Sequence, residues 1–293
     1  RLAIRPTTIL LIVLLLFAIA ILISQPKWWS LRISPYKTFS ILQKTLDATH
    51  TVNASDRTAR VDAIERDTIH SWPGLSLSSP LGPPPQAGLM LDGDNLMPIN
   101  GLSADSAQAA ILADNLPVEL AFRIHPRANT LVLEAGTGVD VLWALASGAE
   151  SVTAVEEIQL VVDTVSGEYQ EFTGGLLTDP RVHVVHQASR VYARHAPSAA
   201  FDVVVLSLSS PHRPVSSGAY SLTENYTYTV DAIDDYLNLL DPQGLFLATR
   251  WLQTPPSESP RLFAMMAQAL RERGLDPAKH LIAFRTLTDL FFK

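Results

Sequence analysis

Apolar and polar residues are arranged along this chain in three different ways. From Ile9 to Ile23 every residue is apolar. With Thr7, Thr8 and Ser24 the run reaches about 18 residues, roughly 27 Å of helix, enough to cross a bilayer core once. Trp28 and Trp29 follow, where an interfacial aromatic belt sits. Arg1 and Arg5 also resemble the basic start of a signal peptide, but no small-x-small cleavage site follows the apolar run. Residues 1–30 are therefore expected to form a retained transmembrane helix and its anchor, in contact with membrane lipid. Arg1 and Arg5 on one side nearly balance Lys27, Arg32 and Lys37 on the other, so charge does not set the orientation. The remainder is expected on the cytoplasmic face.

Between residues 31 and 103 the pattern is short and interrupted. Thr58 to Arg66 alternates apolar with polar, as a half-buried strand does. Pro83-Pro84-Pro85 ends a loop that begins at Ser79, since proline neither donates to a ladder nor continues a helix. Leu89 to Ile99 predicts a hairpin turning at Asp92-Gly93. The region is expected to be a small β-rich domain. Ala104 to Ile124 carries a helical apolar stripe and leads into the third pattern, domain 104–293.

There, short β-branched runs alternate with helical stretches. Strands are predicted at Thr130–Leu133, Ser151–Val155, Val182–His186, Val203–Leu208 and Leu245–Thr249, with another near Leu281–Phe284. Helices are predicted at Ile158–Tyr169, Val230–Leu240 and Pro260–Arg273. Such alternation specifies an α/β fold, a doubly wound, Rossmann-like parallel sheet with right-handed crossovers.

Composition narrows the chemistry. A net charge of -7 without a basic stripe gives no reason to bind nucleic acid. The absence of cysteine excludes disulfides, thiolate catalysis and cysteine-ligated metals. His183 and His186 are three apart on one predicted strand and point to opposite faces, so they do not share a metal; no metal site is expected.

One constellation points to a ligand. In Leu131-Val-Leu-Glu-Ala-Gly-Thr-Gly-Val-Asp-Val-Leu, a glycine pair closes the first buried strand and opens a helix. Glycine suits that position because the backbone turns sharply and a ligand approaches closely. Two glycines alone often mark only a turn. Glu156, about 20 residues on at the end of the next strand, is placed to accept both ribose hydroxyls. A dinucleotide fingerprint would carry a third glycine where Val141 stands, and Glu134 disfavours phosphate. A sulfonium nucleoside meets both conditions. Asp140 opens the helix and either contacts the ligand or only favours the helix dipole. Glu157 reads as solvated, and Arg190 and Trp251 as structural.

The run Leu131 to Val162 resembles the spermidine synthase family, in particular membrane-attached bacterial relatives. So do Gly218 to Ile233, Asp179-Pro-Arg-Val-His-Val-Val-His and Asp241-Pro-Gln-Gly-Leu-Phe-Leu-Ala-Thr-Arg-Trp, and upstream Leu91-Asp-Gly-Asp matches the hairpin of the family's N-terminal β-domain. The resemblance covers about residues 34–293. It implies an S-adenosylmethionine-methyltransferase-like fold and transfer of an aminopropyl group from decarboxylated S-adenosylmethionine to a polyamine. That reaction needs a base: an amine of pKa about 10.4 is neutral only about once in 10³ molecules at pH 7, an obstacle of roughly 4–5 kcal/mol. The family supplies an aspartate at the end of the fourth strand, where this chain has Ser207; a serine hydroxyl is no base at neutral pH. The family's adenine-contacting aspartate falls at Ala188, and the acid that often follows the fourth strand falls at Ser210.

The candidate binding set is thus Glu134, Gly136, Thr137, Gly138, Asp140, Glu156, Ala188 and Ser207. No catalytic residue is assigned; Glu224, with Tyr226 and Tyr228 on the stretch that covers the family's site, is a candidate for binding an amine. Three functions are compatible with these residues. The first is aminopropyl transfer, the second methyl transfer from S-adenosylmethionine to an acceptor needing no base. The third is a non-catalytic module docked on other integral membrane subunits.

Overall fold

The computed structural model describes residues 6–24, 33–44, 48–208, 226–252, 256–286 and 289–292. Trp28, Trp29, Ser210 and Glu224 lie outside these. The apolar N-terminal run is one helix, α1 (Pro6–Ser24), with Ile9 to Phe17 exposed. Its side chains are described without a break only over residues 6–21, and among the described residues no helix is long and apolar enough to cross a membrane.

After a short helix α2 (Thr38–Leu42), four strands form an antiparallel sheet in chain order: β1 (Thr49–Ser55), β2 (Arg60–Glu65), β3 (Gln86–Leu91) and β4 (Asp94–Asn100). The β3–β4 hairpin turns at Asp92 and Gly93, with φ of 51° and 75°. Two successive positive φ values are what a tight two-residue hairpin demands, and Asp-Gly tolerates them best.

The helix expected over Ala104–Ile124 is two: α3 (Ala107–Ala113), capped by the Ser106 hydroxyl on the Ala109 N–H, and α4 (Glu119–Ile124). Pro117 lies between them. It lacks the N–H that a continuous helix needs, and its ring clashes with the preceding turn.

The second sheet has seven strands in the order β10-β11-β9-β8-β5-β6-β7. Its parallel part comprises β5 (Asn129–Leu133), β6 (Ser151–Glu156), β7 (Val182–His186), β8 (Phe201–Leu206) and β9 (Leu240–Trp251). β10 (Ala283–Arg285) and β11 (Asp289–Phe292) add an antiparallel edge. Crossover helices are α5 (Val139–Ala146), α6 (Gln159–Ser166), α7 (Ser189–His195) and α8 (Val230–Asn238), with α9 (Glu258–Glu272) behind β9. Successive residues of a strand face opposite sides. Val132, Val152, Val203 and Val205 therefore pack with α3, α5 and α6, while Leu131, Leu133, Val204 and Leu206 pack with α8 and α9.

The small sheet is not a separate body. Val61, Ala63, Ala87, Leu89 and Ile99 belong to the same buried cluster as Leu112, Val141 and Leu142. Two polar struts add to this junction: Tyr169 Oη lies 2.5 Å from Thr51 Oγ1, and the Thr137 hydroxyl donates to the Pro98 carbonyl at 2.6 Å. Burial pushes the Tyr169 phenol up to about 12, so it stays protonated across the physiological range.

Candidate functional site

The chain leaves β5 toward β6 on one side and reaches β8 on the other, so strand order reverses between β5 and β8. In an open parallel sheet the crevice beyond the carboxyl ends at such a reversal is where ligands bind. Glu134 follows β5, Glu156 ends β6, Gln187 and Ala188 follow β7, and Ser207 follows β8. One rim thus brings together the described residues of the predicted set.

The turn Glu134–Gly138 is built by backbone constraint. Gly136 and Gly138 have φ of 54° and 87°, and Gly138 caps α5 in the left-handed region. The Ala135 N–H donates to the Val155 carbonyl at 3.0 Å, tying the turn to the end of β6. Glu156 completes the tie. One carboxylate oxygen accepts from the Gly136 N–H at 2.7 Å and the other from the Ile158 N–H at 2.8 Å. Each oxygen has a second lone pair, so both remain able to accept a hydroxyl from a ligand. Burial holds the Glu156 carboxyl above the usual carboxylate range, and the Ile158 and Gly136 N–H groups oppose that shift.

Glu134 carries strain. Its φ is 57°, in the left-handed region that costs an L residue about 1 kcal/mol or more. Its N–H donates to the buried Ser189 hydroxyl at 3.0 Å. Burial raises its carboxyl; the Ser189 hydroxyl opposes this, while the Glu156 and Glu157 charges add to it. Strain and repulsion at one residue mark a position held for a purpose other than stability. Glu134→Gly is accordingly expected to stabilise the fold by about 1 kcal/mol, since glycine adopts positive φ freely. The sign with pH also follows. A raised folded pKa means the native state holds the proton longer, so this group's contribution falls as pH rises from the ordinary carboxylate range through the raised value. Urea denaturation of both proteins at several pH values checks this; a less stable Glu134→Gly variant at neutral pH would refute it.

Asp140, in the first turn of α5, is raised by burial, and the Ser207 hydroxyl beside it favours the charged form. Ser207 is 6% exposed, and its Oγ makes no hydrogen bond of good distance and angle, so its influence on Asp140 is weak beside that of burial. Thr137 is buried with its hydroxyl committed to Pro98. Ala188 caps α7 without a side-chain hydrogen bond.

Other sequence features fall into place around the cleft. Arg190 pairs with Asp235 at 3.0 Å and donates to Thr229 at 3.3 Å, joining α7 to α8. Tyr228 is buried under the Arg250 guanidinium, 4.2 Å from its ring centroid, whereas Tyr226 is exposed. His186 contacts the Glu157 carbonyl at 2.7 Å, and no cluster of metal ligands occurs among the described residues. Two neighbours were not foreseen. Ser189 contacts Glu134 from the first position of α7. Met97 on β4 places its Sδ 3.4 Å from where a Cβ on Gly136 would stand. An apolar residue beside the Asp-Gly hairpin was the only signal for the second.

No family model matches the chain. Curated polyamine aminopropyltransferases of Mycobacterium tuberculosis and Mycobacterium bovis are 29% identical over 167 residues, 56% of this chain. The chain spans 30% of the length of these relatives. Among solved structures, a spermidine synthase in complex with the transition-state analogue AdoDATO matches with TM-score 0.51 and 16% identity, over 83% of this chain and 71% of that one. The spermidine synthase of Thermotoga maritima matches with TM-score 0.50 and 15% identity over the same shares. The sequence likeness and the shared fold support the resemblance that the motifs carry.

Proposed function

We propose, on the premise that this chain is a relative of the spermidine synthase family, that it binds a sulfonium nucleoside, decarboxylated S-adenosylmethionine or S-adenosylmethionine, in the crevice between β5 and β8. The observation that carries this reading is Glu156. A buried carboxylate bridges the glycine turn and the next loop, with a lone pair left on each oxygen at the place a ribose would occupy. Glu134 and Asp140 add two further carboxyl groups to the same rim, a lining that suits a cationic sulfonium better than a phosphate. Calorimetry with decarboxylated S-adenosylmethionine, S-adenosylmethionine and methylthioadenosine tests the reading, with micromolar binding expected. Turnover with a diamine then separates aminopropyl transfer from methyl transfer. The absence of acids at Ser207 and Ala188 favours a second reading, a non-catalytic module of a larger membrane complex. Binding of none of the three nucleosides would leave that account standing.

The same proposal seats α1 in lipid, because its sequence is apolar throughout and Ile9 to Phe17 have no protein cover. The full chain is expected to float with phosphatidylcholine vesicles on a density gradient. Leu11→Lys with Leu15→Lys should leave it in the dense fraction, since each central lysine opposes insertion by about 3 kcal/mol. A wild-type chain that stays dense, soluble and monodisperse without detergent would remove the anchor from the proposal. Polyamine and other integral membrane subunits are the partners this reading admits.

A further inference from the structure

Charge is divided unevenly between the start of the chain and its body. Arg1, Arg5, Lys27, Arg32, Lys37 and Lys44 are cations, and no Asp or Glu precedes Asp47. The net charge of -7 therefore arises wholly from Asp47 onward. A positive segment on a negative protein is complementary to an anionic surface. Residues 33–44, which include α2, stand on the small sheet as a foot. Phe39 is buried against Ile64 and Met90, and Ile33 packs close over Gly93. Polar bonds fasten the foot to the β3–β4 hairpin. The Phe39 N–H donates to the Gly93 carbonyl at 3.0 Å, the Thr38 hydroxyl to the Asp94 carboxylate at 2.7 Å, and the Lys37 ammonium to the Asp92 carbonyl at 2.5 Å. The two hairpin acids facing it are engaged, Asp94 by Thr38 and Asp92 by the Arg60 N–H at 3.0 Å.

The outer side of the foot has a different character. Tyr36 is 88% exposed and Ile41 55%, and Lys44, three residues after Ile41, is exposed too. An aromatic, a branched aliphatic and a lysine left outside the fold are residue types that a bilayer interface takes up. The apolar parts enter the headgroup boundary and the ammonium meets lipid phosphate. Position favours the same partner. Ile33 is nine positions after Ser24, where α1 ends, so the foot begins within about 30 Å of that end whatever path the chain takes. We infer that residues 33–44 seat on anionic lipid headgroups through Tyr36, Ile41 and Lys44. The inference rests on the seating of α1 in lipid proposed above, and adds to it a second contact and a preference for lipid charge. One helix alone leaves a domain free to swing about its tether, whereas a second, fastened contact fixes how the domain faces the surface. Lipid contact at the foot thereby orients the crevice, because the same hairpin carries Met97 beside Gly136 and the Pro98 carbonyl that accepts from Thr137.

The absence of cysteine makes the test direct, since an introduced thiol is the only one in the chain. The full chain is reconstituted into vesicles of phosphatidylcholine alone, or with about 30 mol % phosphatidylglycerol. A nitroxide is attached at Gln43→Cys, an exposed position of the foot, and in a separate sample at Val191→Cys, exposed on α7, as reference. Electron paramagnetic resonance reads collisions of each label with an aqueous nickel chelate. At position 43 these should fall at least about threefold when phosphatidylglycerol is included, and at position 191 they should not change. Salt at about 1 M, where the Debye length is about 3 Å, should reverse most of the fall. Ile41→Ser with Lys44→Glu should abolish the dependence on lipid charge. Both positions are exposed, an unchanged label at 191 reports an intact fold, and the salt titration needs no substitution. A label at 43 equally open to the chelate in both vesicles would overturn the inference. Equal shielding in both vesicles and in detergent micelles would overturn it as well, because protein, such as a second copy of this chain, would then be the cover. A chain that floats with phosphatidylcholine vesicles and fails the test at 43 keeps its anchor and loses the foot. A chain that floats with neither vesicle loses both.

Discussion

Glu156→Ala is expected to weaken methylthioadenosine binding by at least 100-fold. Two ribose hydroxyls donating to one carboxylate are charge-assisted bonds, each contributing about 1.5–3 kcal/mol, and a 100-fold loss corresponds to about 2.7 kcal/mol. The same substitution strips the acceptors from the Gly136 and Ile158 N–H groups, so the glycine turn should loosen as well. Glu156→Gln separates the two effects. The amide oxygen still accepts one N–H, while the negative charge is gone, so affinity should fall about tenfold with a smaller loss of stability. Titration calorimetry paired with thermal melting measures both quantities. An alanine variant that binds like wild type would show that the carboxylate only fastens the turn, and would take away the principal support for a nucleoside site.

The second large effect is expected at Gly138. A side chain there meets two obstacles. The backbone has φ of 87°, a region closed to β-branched residues. A Cβ would also stand 2.9 Å from Leu176 Cδ2 and 3.2 Å from Leu177 Cδ2. The leucine ends can shift, but the backbone conformation cannot change without releasing α5, because the Gly138 N–H and carbonyl both serve the turn and the first helical bond. Gly138→Val should therefore cost about 3 kcal/mol, lowering the melting temperature by about 6–12 °C, and Gly138→Ala less. Circular dichroism melts check this. A valine variant melting within about 2 °C of wild type would mean that the turn adopts another path.

The parallel core was legible because its physics is local. Runs such as Leu131-Val132-Leu133 and Val203-Val204-Val205 are buried on both faces, and such strands have to be continuously apolar. Glu156 was legible by its spacing from the glycines, and the hairpin by Asp92-Gly93. What escaped depended on neighbours distant in the chain. Strand β9 runs back to Leu240, five residues before its predicted start at Leu245, because pairing with Phe201 extends it across Asp241-Pro242-Gln243-Gly244, which alone reads as a turn. Glu134 was read as an acid that disfavours phosphate, with no sign in its neighbours that its backbone is left-handed.

The union of the small sheet with the larger domain bears on any attempt to divide this protein. A cut at 103/104 follows the change of pattern in the sequence, yet it would strip Val61, Ala63, Leu89 and Ile99 from the apolar surface they share with α3 and α5. It would also take the Pro98 carbonyl from Thr137 and Met97 from its place beside Gly136. A fragment beginning after the cut would expose an oily face at the mouth of its own crevice and tend to associate through it. The hairpin is better regarded as the missing wall of the pocket than as an appendage. Shortened versions of this chain made for binding work should therefore start no later than α2.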